Sequence, residues 1–220
     1  MKPFDYSTIK DDPFYRRFGV PAAWALPLFY KPLRISGTEN IPLSGALIVA
    51  CNHINSRDAA PIMAAAINTR EIRFMAKDDL FDNPLVAYFF RRMGTFPVKR
   101  GIGARPAMDY ARRLLEDGRA VGIFPEGARS PDGTPQEPRT GIAKLAQQTG
   151  ADILPAAVYS PLRGSFGQPI TLRFGELIPN GTIDFGDGRS QGRRSATAQI
   201  MGKIVKLWEQ LRDEHTGRLE

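Results

Sequence analysis

Seven short apolar, β-branched runs alternate with stretches of helical periodicity along most of this chain, and that alternation is what most narrows the folds open to it. The strand-like runs are Leu33 to Ser36, Ala46 to Asn52, Ile72 to Ala76, Thr95 to Val98, Ala120 to Phe124, Ile153 to Tyr159 and Ile170 to Phe174. Between them Ala59 to Asn68, Pro84 to Met93, Arg105 to Glu116 and Gly141 to Gln148 carry helical spacing, and a last helix is expected from about Ser195 to Arg212. Strands that alternate with helices predict an α/β domain with a largely parallel central sheet flanked by helices. Asn83 before Pro84 reads as a helix cap followed by a first-turn proline. Glycine, proline and charge cluster at Ser130 to Pro138 and at Pro179 to Arg194, which read as surface loops. With 220 residues and no repeat, low-complexity tract or linker, a single domain is expected.

The stretch Phe18 to Tyr30 has no charge, but its thirteen residues include Pro21 and Pro27. It is too short to cross about 30 Å of hydrocarbon. Arg16 and Arg17 precede it, Lys31 and Arg34 follow it, and Trp24, Phe29 and Tyr30 lie within it, as in segments that anchor at an interface. A helix packed on the core would read the same way. The expected division is an amphipathic, helical, membrane-associating segment over 1–32 and the α/β domain over 33–220. The opening Met1-Lys2-Pro3-Phe4-Asp5-Tyr6 has no basic stretch running into an apolar one, so no secretory signal is read and the cytoplasm is expected. The single cysteine, Cys51, sits in the apolar run Ala46 to Cys51 and reads as a small buried hydrophobe.

A formal net charge of +7 calls for something anionic: nucleic acid, phospholipid headgroups or a phosphorylated substrate. The pairs Arg91-Arg92, Lys99-Arg100 and Arg112-Arg113 would suit a basic binding protein for nucleic acid or membrane without catalysis. Against nucleic acid, no recognisable module is present and the aromatics are not interleaved with those charges.

Two strand exits carry residues suited to chemistry. The first is Asn52-His53-Ile54-Asn55-Ser56-Arg57-Asp58, between an apolar strand and a helix. Catalytic groups in α/β sheets gather at such carboxyl ends. His53 and Asp58 are five apart, which would separate them on a continuous helix but lets Asp58 fold back in a turn. A carboxylate on one imidazole nitrogen fixes the tautomer and leaves the other nitrogen free to take a proton from a hydroxyl. Alone, the same pair also fits a helix cap beside a satisfied polar histidine. The second exit is Phe124-Pro125-Glu126-Gly127-Ala128-Arg129-Ser130, where Gly127 permits close backbone approach and Glu126 and Arg129 offer an acceptor for hydroxyls and a fixed fork for phosphate. Further cations, Lys99 and Arg100 after Gly94 to Val98 and Lys77 after Arg73 to Ala76, also follow strands and could converge on the same rim.

In this order the pieces resemble the PlsC-type glycerolipid acyltransferases, over roughly Ile35 to Val158. Asn52, His53 and Asp58 match the family's first block, and Gly94, Phe96 and Arg100 the second, with an unusual proline at Pro97. Phe124 to Ser130 match the third, with alanine at Ala128 where threonine is common, and Ile153 to Ala157 the fourth. The resemblance implies an enzyme that moves a fatty acyl group from acyl-CoA or an acyl-carrier protein to the sn-2 hydroxyl of 1-acyl-glycerol-3-phosphate, giving phosphatidic acid. Glycerol 3-phosphate or another polar lipid is the alternative acceptor. By this resemblance His53 is the base and Asp58 orients it, while Arg129, Arg100 and Lys77 hold the acceptor phosphate and Glu126 and Gly127 its glycerol. The fourth block would shape the acyl or carrier site. No resident cofactor or metal is expected, since the thioester is already activated and the sequence has only two histidines and no cysteine pair. The second histidine, His215, reads as part of an inert polar tail. Peripheral association with the cytoplasmic face of a membrane follows, and no nucleic-acid partner. A thioester hydrolase is disfavoured because the Gly-x-Ser-x-Gly elbow is absent.

Overall fold

Each apolar run pairs into one seven-stranded sheet, and the choice of neighbours fixes where loops can meet. The structure, a computed structural model, describes residues 4–217 apart from 8, 10–12, 16, 18, 20, 22–27, 29, 31, 100–103 and 162–166. The strands are β1 (Leu33–Ser36), β2 (Leu47–Cys51), β3 (Ile72–Lys77), β4 (Phe96–Val98), β5 (Ala120–Ile123), β6 (Asp152–Tyr159) and β7 (Ile170–Phe174). The helices are α1 (Ala59–Ala66), α2 (Pro84–Arg92), α3 (Arg105–Glu116), α4 (Gly141–Thr149) and α5 (Ser190–Thr216). The sheet order is β1-β7-β6-β2-β5-β3-β4. Pairing is parallel from β6 through β2, β5 and β3 to β4, so five carboxyl ends open on one rim. Only β7 meets β6 antiparallel, and β1 follows β7 in parallel.

β2 shows why a continuous apolar run becomes a central strand. All five of its residues are fully buried. Ile48 and Ala50 face a core built with α3, α4 and α5, while Leu47, Val49 and Cys51 face a core that includes α1. Both faces of a parallel sheet are covered, so the strand needs apolar residues at every position. The exits of β2 and β5 diverge, because β2 continues into α1 on one face and β5 into α4 on the other. Neighbouring parallel strands whose connections leave on opposite faces create a crevice between their carboxyl ends.

Elsewhere, local chemistry explains the element limits. Asn83 accepts from the N–H of Leu85 and of Val86, the cap read from the sequence before Pro84. Pro97 is tolerated because β4 is the edge strand and pairs only with β3. α5 begins at Ser190, inside the stretch read as loop, because tertiary contacts supply what the pattern lacks: Arg193 donates to Gln147 at 2.9 Å and the helix packs on β6. His215 is likewise no free tail residue; its Nε2 lies 2.7 Å from Thr171 Oγ1 and its ring lies beside Tyr159.

Of the N-terminal 32 residues, Tyr15 and Tyr30 are described and are both 2% exposed within the core on the α1 face. Tyr6 donates to the Pro97 carbonyl at 2.7 Å, which ties this region to β4. Trp24, Phe29 and most of 18–30 lie outside the described residues, so the expected amphipathic helix is not placed. No helix among the described residues is long and apolar enough to cross a membrane.

Candidate active site

The turn after β2 is built around one carboxylate. Asp58 is fully buried, and its Oδ2 accepts from the N–H of Ile54 at 2.7 Å and of Asn55 at 2.7 Å, and lies 2.9 Å from His53 Nδ1. It therefore reaches backwards into its own turn, and it makes no side-chain cap to α1. The simple cap reading is thereby set aside for this aspartate. Because the oxygen already receives two backbone N–H groups, Nδ1 carries the imidazole proton toward it and Nε2 is the acceptor. Asp58 Oδ1 is buried with no partner among the described residues.

Two further contacts fix the imidazole. Its ring stacks on Phe124, with centroids 4.0 Å apart and planes 12° from parallel. Phe124 rests in turn on Phe74, whose ring occupies the space that a side chain at Gly122 would fill. A glycine inside a strand is normally a weakness, and here it admits the aromatic that supports the histidine. With Nδ1 taken and one face covered, Nε2 is the polar atom left to act, on a side chain 17% exposed.

The backbone at His53 is fastened from both neighbouring strands. Its N–H donates to Glu126 Oε1 at 2.9 Å, and its carbonyl accepts from the Ser130 N–H at 2.7 Å, so the loop after β5 brackets it. On the other side the Asn52 amide donates to the Val158 carbonyl at 2.9 Å and accepts its N–H at 2.8 Å, extending the β2–β6 ladder with a side chain. The run Ile153 to Ala157 lies buried within β6, paired with β2 as far as Ala156↔Cys51, and the Val158 backbone that follows it bonds Asn52. Pro155, which has no N–H, sits where the antiparallel register slips by one residue between Ala156↔Phe174 and Ile153↔Ile178, a bulge that suits it.

Glu126 is 5% exposed and points at the histidine backbone, so it is enclosed rather than presented to a ligand's hydroxyls. Burial pushes its carboxyl up to about 7, against the lowering effect of the His53 N–H. Its Oε2 is buried without a partner among the described residues. Gly127 adopts φ +69°, a left-handed conformation open to glycine, and is exposed at the turn. Burial likewise pushes the Cys51 thiol up, as expected of a fully enclosed side chain.

Among the expected cations, Arg129 is exposed and lines an open cleft of about 350 Å³ with Ile54, Ala128 and Ser130, directly beside the histidine turn. Lys77 ends β3 but pairs with Asp79 and is not brought to that cleft. Arg100 lies outside the described residues. Sequence reasoning passed over two participants. Asn52 entered only as part of a motif, although an amide directly after a fully apolar strand signals a side chain replacing a ladder bond. Arg139 was missed because eight residues of polar loop separate it from Ser130. Its N–H donates to the Pro125 carbonyl at 2.8 Å and its side chain lies against Gly127.

A buried carboxylate, an oriented imidazole with one free nitrogen, and a cation at an open cleft are the parts needed to deprotonate a hydroxyl on a phosphate-bearing substrate. A family model described as Acyltransferase matches residues 32–159. The chain is 29% identical to the 1-acyl-sn-glycerol-3-phosphate acyltransferase of Bacillus subtilis (strain 168), over 83% of this chain and 90% of that protein. It is 33% identical to the protein of the same name from Borreliella burgdorferi, over 57% of this chain and only half of that protein. The crystal structure titled as the 1-acyl-sn-glycerophosphate acyltransferase PlsC from Thermotoga maritima superimposes with a TM-score of 0.68, covering 90% of this chain and 78% of that one. Its 21% identity makes that likeness one of fold.

Proposed function

The chain belongs to the acyltransferase family, and from that premise we propose that it esterifies the sn-2 hydroxyl of 1-acyl-sn-glycerol-3-phosphate with a fatty acyl group taken from a thioester, giving phosphatidic acid. Relatives that carry this activity in their names support the acceptor. The donor is acyl-CoA or an acyl-carrier protein, and the reaction runs without a resident cofactor.

One observation carries the chemistry: His53 Nδ1 lies 2.9 Å from a carboxylate oxygen that two backbone N–H groups already hold, beside a cleft lined by Arg129. Nε2 removes the hydroxyl proton as the oxygen adds to the thioester carbonyl, and Asp58 stabilises the imidazolium that forms. Collapse of the tetrahedral intermediate breaks the C–S bond, and the proton passes from Nε2 to the departing thiolate. The substrate supplies the nucleophile, so no covalent enzyme intermediate arises. Arg129 and Arg100 are assigned to the acceptor phosphate; Lys77 is a weaker candidate because Asp79 already neutralises it.

The lipid acceptor suggests work at a membrane surface, on its cytoplasmic face and peripherally. The surface of α2 supports that reading, since it is inverted relative to an ordinary amphipathic helix. Leu85 is 81% and Tyr88 56% exposed, with Val86 and Phe89 beside them, while Ala87 on the opposite side is buried. A contiguous exposed apolar face next to basic residues suits insertion at headgroup level.

The direct experiment incubates purified protein with acyl-CoA and a panel of acceptors while following thiol release and product mass. Phosphatidic acid from 1-acyl-glycerol-3-phosphate, lost in His53→Ala, is expected. Thiol release with no acylated lipid would overturn the reading, and a failure to co-sediment with anionic liposomes would overturn the membrane part.

A further inference from the structure

We propose that Arg139 is a second phosphate-binding residue of this site, lying across Gly127 two residues from Arg129 in the motif loop and recognising a phosphate ester of one of the two substrates. The assignment rests on the function proposed above.

Residue 139 is distant from the motif in sequence but clasped to it in space. Its N–H donates to the Pro125 carbonyl at 2.8 Å. Its side chain lies across Gly127 so closely that a Cβ there would stand 2.8 Å from Nε and 2.9 Å from Cδ. The same loop stacks Phe124 on His53 and bonds Glu126 to the His53 backbone, so the main chain at 139 is tied to the catalytic rim while its exposed side chain lies across Gly127.

Its charge is uncommitted among the described residues. Arg73, Arg112, Arg119, Arg173 and Arg212 each bind a carboxylate. Among the described residues, neither Arg129 nor Arg139 has such a partner. A cation kept only for solubility has no reason to lie folded across the glycine of the motif loop. One awaiting an anion does, because a guanidinium already in place loses less freedom on binding. α4 starts two residues later, at Gly141, so the positive end of its dipole adds to the same potential. The fitting ligand is a phosphate ester, supplied either by the acceptor headgroup or by the nucleotide of acyl-CoA.

The test measures kinetics of Arg139→Ala and Arg139→Lys against two substrate pairs: 1-acyl-glycerol-3-phosphate and monoacylglycerol as acceptors, and acyl-CoA and S-acyl-pantetheine as donors. Loss of one charge-assisted contact should raise the KM of one phosphorylated substrate about tenfold or more in Arg139→Ala, with kcat changed little and partial recovery in Arg139→Lys. The penalty should vanish for the phosphate-free member of that pair, which identifies the source. Unchanged KM values, or a penalty equal with and without phosphate, would overturn the assignment. Binding of inorganic pyrophosphate to the wild-type protein and to Arg139→Ala separates the two readings. Weakening by about tenfold in the variant upholds this site even if no acyl transfer is found, and equal binding by both proteins counts against it.

Discussion

The backbone N–H of His53 donates to an oxygen of Glu126, a carboxylate 73 positions further along the chain, at 2.9 Å. That bond makes the two motif loops one rigid unit, because the Ser130 N–H returns the contact on the His53 carbonyl. Glu126 therefore serves the imidazole by holding its main chain, and its burial is a consequence of that position.

Glu126→Gln keeps an acceptor for the His53 N–H but cannot ionise. In the wild-type protein the folded-state value of about 7 lies above the ordinary value near 4.5, so the folded state binds more protons than the unfolded one between these limits. Wild-type stability contributed by this group therefore falls as pH rises from 4.5 to 7 and is flat above. The stability difference between Glu126→Gln and wild type should rise over that window by a few kcal/mol at most, about 3 from the size of the shift. Denaturant titrations at pH 4.5, 6 and 8 check it; a difference independent of pH would refute it.

Replacing His53 by alanine removes the base without disturbing the Asp58 bonds to Ile54 and Asn55. Turnover should drop about 10²- to 10⁴-fold while the thermal midpoint stays near that of wild type. Steady-state kinetics with differential scanning calorimetry separates lost chemistry from lost fold.

Asp58 carries both roles, so its variants should divide them. Asp58→Asn retains an oxygen for the turn but weakens the imidazolium's partner, and should lose activity with modest loss of stability. Asp58→Ala strands two buried N–H groups as well, at roughly 1–3 kcal/mol each. If both variants lose equal stability, the turn is not organised by this oxygen.

Asn52→Ala should unpair the buried N–H and carbonyl of Val158 together. The expected cost is roughly 2–5 kcal/mol in unfolding free energy, with faster hydrogen exchange concentrated at the end of β6. Protection unchanged at Val158 would argue against the clasp.

Gly122→Ala places a methyl group where the Phe74 ring lies. Overpacking of this kind costs about 1–3 kcal/mol. Because Phe74 supports Phe124 and Phe124 supports His53, kcat should fall as well. Phe74→Leu in the same protein should restore part of both.

How far these features could be read in advance depends on their range along the chain. Among the described residues, the seven strands and five α-helices were legible from apolar periodicity, since burial on both sheet faces demands continuous apolar runs and burial on one helix face demands a repeat every three or four residues. The limits shifted by a residue or two at several ends, and by more in α5, which starts at Ser190 where Arg193 reaches Gln147 and ends at Thr216 rather than at Arg212. The turn from His53 to Asp58 was legible too, because five residues close it locally. The antiparallel entry of β7, the enclosure of Glu126 and the return of Arg139 to Gly127 were not legible. Each joins segments whose spacing carries no period, so only the packed sheet, by setting β5 beside β2, could choose those partners.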